Sequence, residues 1–455
     1  MKQALIGVAG GLFAGLVTLG ILFSGPLALT GSAQEEPVAA EATELAPEPT
    51  ETPETPEPTE DQKVECSVLD LESAEEILEL QAQVINAETG EVLFDRASST
   101  AARPASVLKL FTAAAALETL GPDYRVTTRV YVDSADPSIL YLVGAGDVTL
   151  SRTAGNQQSV YRNAPKLATL VKQISEKLGG QEFSQIVLDS TLYGSPKGEY
   201  QTVWDQRGLT TGYMSYVSAL QVDGDRTDPG SKDSPRSKDP VQRAGEWFKK
   251  ALGPSAANSK ISLGQAPATA VEVAKVQSAP LSTWIDYMLV VSDNTLAEAI
   301  GRLVSLDVGL DGSFKSLTEA FKRALKDTGL DLTGIKIEDG SGLSRYNQIS
   351  PVQVNELLTL IDQGYGDFEL IGGGMPVSGT PGSLSYRFED ATGNVTAKTG
   401  WIRTGYTLAG FLDTPDDSRL IFTVYNLGNV STDNREAMDD LVEGFYNCGA
   451  DLVNR

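Results

Sequence analysis

Residues Arg103 to Gly121 read RPASVLKLFTAAAALETLG. The run from Val107 to Leu120 is apolar on nearly every face. This predicts a buried helix over Ala105–Leu120, closed by Gly121 as a C-cap. Ser106 opens the helix and Lys109 follows three residues later. Positions i and i+3 share a helix face, with Cβ atoms about 5–6 Å apart. A serine at a helix start also lies beside free backbone N–H groups. This is the setting of a nucleophile, and a nucleophilic serine needs a base. The chain has no histidine at all. A lysine can serve instead when burial or a second cation loosens its proton. The bland alternative is an N-capping serine with a snorkelling lysine. Companion motifs elsewhere in the chain weigh against it.

Composition removes several chemistries. The 455 residues suffice for about two or three domains. Without histidine there is no Ser-His-Asp triad and no histidine zinc site. With two cysteines, Cys66 and Cys448, there are no thiolate zinc or iron–sulfur centres. No cofactor and no metal are expected. The net charge of −25 is partly local, because residues 35–61 carry ten acids and no base. The remainder is still acidic, so nucleic acid is not an expected partner.

The N-terminus sets the compartment. Ala4 to Phe23 is an uncharged apolar run preceded only by Lys2. Twenty such residues can span a bilayer, with the basic end on the cytoplasmic side. Residues 1–30 therefore read as a membrane anchor, or as a signal peptide cleaved after Gly31-Ser32-Ala33. Either way the rest of the chain is extracytoplasmic, held in the membrane or secreted. Residues 31–65 are rich in Pro, Glu and Thr and read as a disordered acidic stalk. Two cysteines in an exported chain are expected to pair, so Cys66 should be joined to Cys448.

Beyond the stalk, Leu80–Arg96 reads as a hairpin around Asn86–Gly90. Short strands follow in residues 125–147, then a helix near 165–179 and the strand Gln185–Asp189. Residues 222–240, VDGDRTDPGSKDSPRSKDP, read as an exposed polar loop. Helices return over 281–291 and 295–306. Strands fill the stretch from Val395 to Leu427, and a last helix starts at Asn434. Strands at both chain ends with helices between them suggest one mixed sheet built from the two ends.

Two further stretches carry chemistry. VSDNTLAEAI contains Ser292, Asp293 and Asn294, and its helix shows a capping-box pattern in Thr295 and Glu298. TAKTGWI contains Lys398, Thr399 and Gly400, followed by Trp401. Gly400 would let a ligand backbone approach closely, and Lys398 would supply a second cation. Each pattern is weak alone. Ser-x-x-Lys, then Ser-Asp-Asn, then Lys-Thr-Gly, each once and in that order, is a specific combination.

This set resembles that of the penicillin-recognising serine acyltransferases. Between Ser106 and Ser292 lie 185 residues, far more than a compact class A β-lactamase carries. The stretches GAGDVTL (144–150), DGSGLSRYNQISP (339–351) and MPVSGTPGSLSYRF (375–388) resemble the class C low-molecular-mass penicillin-binding proteins, which are D-alanyl-D-alanine carboxypeptidases and endopeptidases. The resemblance runs from about residue 75 to 450. It implies an α/β fold, a β-lactamase/transpeptidase-like sandwich of a mixed sheet covered by helices. Residues 66–121 and 278–455 would form the peptidase domain, and 122–277 one or more inserted accessory domains.

The resemblance also implies roles. Ser106 would attack the bond between two D-alanines of a peptidoglycan stem peptide, Lys109 would be the base, and Ser292 would relay the proton to the leaving amine. The N–H groups of Ser106 and Trp401 would form the oxyanion hole. Lys398 and Thr399 would hold the terminal carboxylate, and Asn294 a substrate amide. Asp147 and Arg345 would receive the charged end of a diaminopimelate side chain. β-Lactam antibiotics would acylate Ser106. Trp401 departs from the small or hydroxylated residue usual after Lys-Thr-Gly, which bears on substrate preference. The competing functions are a β-lactamase, which needs a glutamate-held deacylating water, and an inactive cell-wall binding protein.

Overall fold

The computed structural model describes residues 66–453. The anchor and stalk read from residues 1–65 lie outside them. Among the described residues no helix is long and apolar enough to cross a membrane.

Ten strands form two five-stranded sheets. They are β1 (Glu79–Asn86), β2 (Val92–Arg96), β3 (Thr127–Val132), β4 (Ile139–Val143), β5 (Gln185–Asp189), β6 (Lys260–Leu263), β7 (Val271–Gln277), β8 (Val395–Ile402), β9 (Gly405–Asp413) and β10 (Arg419–Leu427). The first sheet has the order β2-β1-β10-β9-β8. It joins the two chain ends, as expected, because β1 pairs along its whole length with β10. Every pairing in it is antiparallel. Parallel pairs occur only in the second sheet, β6-β5-β4-β3-β7, between β4, β5 and β6. The reason is connection length. β1–β2, β8–β9 and β9–β10 are hairpins, whereas the helices Leu167–Leu178 and Pro240–Leu252 supply the crossovers that parallel neighbours need.

Both faces of the first sheet are covered. Ala409, Phe411, Ile421 and Tyr425 pack towards the helices Leu108–Leu120, Leu281–Val291, Asn294–Asp307 and Pro351–Asp362. Leu408, Leu412, Phe422 and Val424 pack on the opposite side with Met438, Leu441 and Phe445 of the helix Thr432–Cys448. Two covered faces explain why β10 reads RLIFTVYNL without polar alternation. At the second sheet Thr127 of β3 lies opposite Gln277 of β7, so the chain enters and leaves residues 127–277 at one place.

Cys66 and Cys448 form a disulfide. It ties the first described residue to the end of the last long helix and closes a loop of 382 residues. Cross-links of this kind restrict the unfolded chain, with typical gains of about 2–4 kcal/mol. The Cys66→Ser/Cys448→Ser protein should lose about that much stability in urea melts, with its acylation rate retained. An unchanged urea midpoint would show that the bridge adds nothing.

The stretch 222–240 is exposed over much of 227–233 and at 238 and 239, as its polarity suggested, but its two ends and Arg236 are anchored inside. Val222 to Arg226, Ser234 and Arg236 are buried. Asp223, Gly224 and Asp225 take three successive left-handed conformations. The charges are buried because they pair: Arg152 with Asp223 (2.8 Å), Arg243 with Asp225 (3.1 Å) and Arg226 with Asp293 (2.7 Å). Buried charge needs such partners, and local composition does not reveal them.

Candidate active site

The helix expected over Ala105–Leu120 lies at the centre of the fold. A 3₁₀ turn, Ala105–Val107, leads into Leu108–Leu120, and Gly121 ends it with φ +77°. Every residue from Leu108 to Leu117 is buried. Ser106 therefore sits at the junction between turn and helix. Lys109, one turn on, is fully buried.

Lys109 Nζ donates to three oxygens: Ser106 Oγ (2.9 Å), Asn294 Oδ1 (2.8 Å) and the Ser341 carbonyl (2.7 Å). The structure thus joins the first and second motifs directly. Lys398 Nζ donates to Ser292 Oγ (3.0 Å) and to the Thr399 carbonyl (2.7 Å). Each lysine holds one serine hydroxyl, and the third motif is joined to the second. Burial strips water from Lys109 and pulls its pKa down to about 8, against the opposing pull of Glu298, Asp339 and Asp293. Lys398 is lowered well below the ordinary lysine range, first by burial and then by repulsion from Lys109.

Ser292 is held with φ +58°, between the helices Leu281–Val291 and Asn294–Asp307. The second helix is capped by Asp293, whose Oδ1 accepts from Leu296 N (2.8 Å). This corrects the capping box read from Thr295 and Glu298. Asp293 takes the cap because Arg226 Nη2 anchors its other oxygen. Glu298 is instead fully buried, and accepts from Gly340 N and Ser341 N (both 2.8 Å). Asn294 Nδ2 donates to the Tyr213 carbonyl (2.9 Å).

Two glycines let the elements close over Ser106. A Cβ on Gly400 would lie 2.1 Å from Thr407 Oγ1 and 2.8 Å from Ser106 N. A Cβ on Gly342, whose φ is +87°, would lie 1.8 Å from the Ala105 carbonyl oxygen. β8 is the edge strand of its sheet. On its outer side Ala397 N donates to Pro376 O and Val395 O accepts from Ser378 N (both 2.9 Å). The two-residue period then turns the peptide groups of Thr399 and Trp401 towards the same outer edge. There they face the cleft.

A cavity of about 720 Å³ opens over these groups, with Ser106, Ser292, Asn294, Thr399, Gly400 and Trp401 in its wall. Arg345 lines it as well. Asp147 does not: it is buried, and its Oδ1 accepts from Thr149 N (2.7 Å) and Thr149 Oγ1 (2.6 Å). Sequence reading missed two carboxylates in the cavity wall: Asp205, paired with Arg207 (2.6 Å) and Arg403 (3.6 Å), and Asp233, paired with Lys232 (3.0 Å). Asp205 follows Trp204, whose Nε1 donates to buried Asp339 (2.8 Å). That anchor, made across 135 residues, left no local signal.

The antiparallel sheet between helical layers, with two buried lysines each holding a serine hydroxyl, defines a penicillin-recognising serine enzyme. A model of the D-Ala-D-Ala carboxypeptidase 3 (S13) family matches residues 68–234 and 225–445. The chain belongs to that family. It is 30% identical to a carboxypeptidase DacB of Mycolicibacterium smegmatis over 378 residues, 81% of each chain. It is 31% identical to a carboxypeptidase of Mycobacterium tuberculosis over 389 residues, 81% of this chain and 80% of that one. In fold it resembles penicillin binding protein 4 of Haemophilus influenzae, with TM-score 0.70, 21% identity, and coverage of 83% of this chain and 99% of that one.

Proposed function

We propose that the protein is an exported serine D-Ala-D-Ala carboxypeptidase that also cleaves peptide cross-links, acting on peptidoglycan stem peptides through an acyl-enzyme on Ser106. The observation that carries this reading is the contact between Lys109 Nζ and Ser106 Oγ, 2.9 Å apart in a buried site. Family membership and the bond chemistry named by the family support the substrate. The apolar run Ala4–Phe23 supports anchoring in the membrane, with residues 31–65 as the stalk and 122–277 as an accessory part of the folded chain.

In this mechanism Lys109 loses one proton to become the neutral amine. Ser106 Oγ attacks the carbonyl carbon between the D-alanines as its proton passes to Lys109 Nζ. The N–H groups of Ser106 and Trp401 receive the oxyanion, the second because its peptide group faces the open edge of β8. The proton taken up by Lys109 passes through Ser292 to the leaving amine, expelling D-alanine or, in a cross-link, the amine of a second stem. Water then releases the acyl group. Lys398 and Thr399 bind the terminal carboxylate. Asn294 holds Lys109 through Oδ1 and offers its amide to the substrate backbone. Arg345 and Asp205 receive the charged end of the substrate side chain, since Asp205 and not Asp147 stands in the cavity wall.

The test is intact mass before and after benzylpenicillin. A lasting adduct on Ser106 is expected, followed by D-alanine release from a D-Ala-D-Ala peptide. Fast loss of the adduct with consumption of the drug would make the protein a β-lactamase. No adduct would leave only wall binding.

The acylation rate should also depend on pH. Below about 8 Lys109 is an ammonium and cannot accept the Ser106 proton. The rate should therefore climb from pH 6 to 8 and level off above, as a macroscopic titration of the two lysines. A flat profile over that range would remove Lys109 from the role of base.

A further inference from the structure

Six buried ionisable groups meet behind Ser106: the bases Lys109, Lys398 and Arg226, and the acids Asp293, Glu298 and Asp339. Asp293 is paired directly with Arg226. Asp339 is held by neutral donors: Trp204 Nε1, Asn347 Nδ2, Gly342 N and Ser344 N. Glu298 makes no ion pair within 4.0 Å among the described residues. Its two oxygens each accept from one backbone N–H, Oε2 from Gly340 and Oε1 from Ser341. Burial and the neighbouring Asp339 push its pKa up to about 8, while these N–H donors and the Ser341 hydroxyl favour the ionised, acceptor-only carboxylate. The carbonyl of Ser341 then accepts from Lys109 Nζ (2.7 Å). One residue thus links a buried carboxylate to a buried ammonium. Thr112, one turn beyond Lys109, clamps the same segment by donating to the Gly340 carbonyl (2.6 Å).

We propose that Glu298 is a positioning residue for acylation: it holds the Gly340–Ser341 segment whose carbonyl binds Lys109, and it supplies the counter-charge against which Lys109 keeps its proton. This rests on Lys109 being the base. Glu298 touches neither substrate nor nucleophile. Glu298 is also the first of the negative charges that raise the proton affinity of Lys109, ahead of Asp339 and Asp293. Lys398 acts in the opposite sense on the same network. Losing the Glu298 charge therefore makes Lys109 a weaker base that is neutral at lower pH.

The experiment measures benzylpenicillin acylation against pH in the full chain and in the Glu298→Gln, Glu298→Asp and Lys109→Met proteins. In Glu298→Gln the rising limb should move acidward by about one pH unit. Its plateau should fall, because the new amide N–H₂ faces a backbone N–H. In Glu298→Asp the limb should stay in place while the rate falls about tenfold, the expected cost of moving the segment by a fraction of an ångström. A Glu298→Gln limb that does not move, with rate lost evenly at all pH values, overturns the proposal while leaving the base reading intact. Lys109→Met acylating at the wild-type rate overturns both. Should Glu298→Gln fail to fold, Glu298→Asp decides, and a displaced limb or an undiminished rate there would sink the idea.

Discussion

Ser106→Ala is expected to take no adduct from benzylpenicillin and to lose D-alanine release by about 10⁴- to 10⁶-fold, the scale seen when a serine nucleophile is removed. The folded state should be unaffected. Ser106 is small, and its hydroxyl accepts one of the three bonds donated by Lys109. The Asn294 and Ser341 oxygens still hold the ammonium after the change. The thermal midpoint should therefore match that of the parent. Substrate binding should survive as well, because Lys398, Thr399 and Arg345 remain. A residual rate within tenfold of the parent would mean that Ser106 is not the nucleophile, and the acyl-enzyme reading would be withdrawn.

The second large effect is on stability. Arg226 and Asp293 form an ion pair that is almost wholly withdrawn from solvent, with side-chain exposures of 1% and 4%. Arg226 also donates to the Tyr161 hydroxyl (2.7 Å) and lies over that ring at 4.7 Å. Removing the guanidinium leaves a buried carboxylate without its direct ion-pair partner, which costs about 3–5 kcal/mol. Arg226→Met should lower the urea midpoint accordingly. It should also slow acylation, because Asp293 caps the helix that begins at Asn294 and lies between Ser292 and Asn294. Adding Asp293→Asn should return much of the lost stability, since an amide is far cheaper to bury than an unpaired carboxylate. If Arg226→Met alone melts with the parent, the pair is not holding the catalytic loop.

Much of the site was legible because its chemistry is carried by short local patterns. Ser106 and Lys109 share a helix face through spacing alone, and their motif stands out in a chain without histidine. Lys398 and Gly400 could be placed on a strand from the pattern around them. Glu298, Arg226 and Asp205 were not legible. Each acts across a long separation: Glu298 on residues 340 and 341, Arg226 on Asp293, and Asp205 through the anchoring of Trp204 on Asp339. In the sequence Arg226 and Asp205 sit beside other polar residues and look solvated, while Glu298, between Ala297 and Ala299, reads only as part of a helix cap. Asp147 is buried outside the cavity wall, because a residue matched by a motif is not thereby turned towards the cleft.

By itself the sequence determined the buried helix with its serine and lysine, the three motifs in order, the pairing of two cysteines and the sheet joining the chain ends. These follow from spacing, hydropathy and composition, which act over a few residues or over the whole chain. Tertiary structure alone decided that this sheet is antiparallel throughout, that 222–226 is buried, and which charges face one another behind Lys109. Burial sets both the cost of a charge and the strength of its partner, and burial at a given position is known only once distant segments have packed.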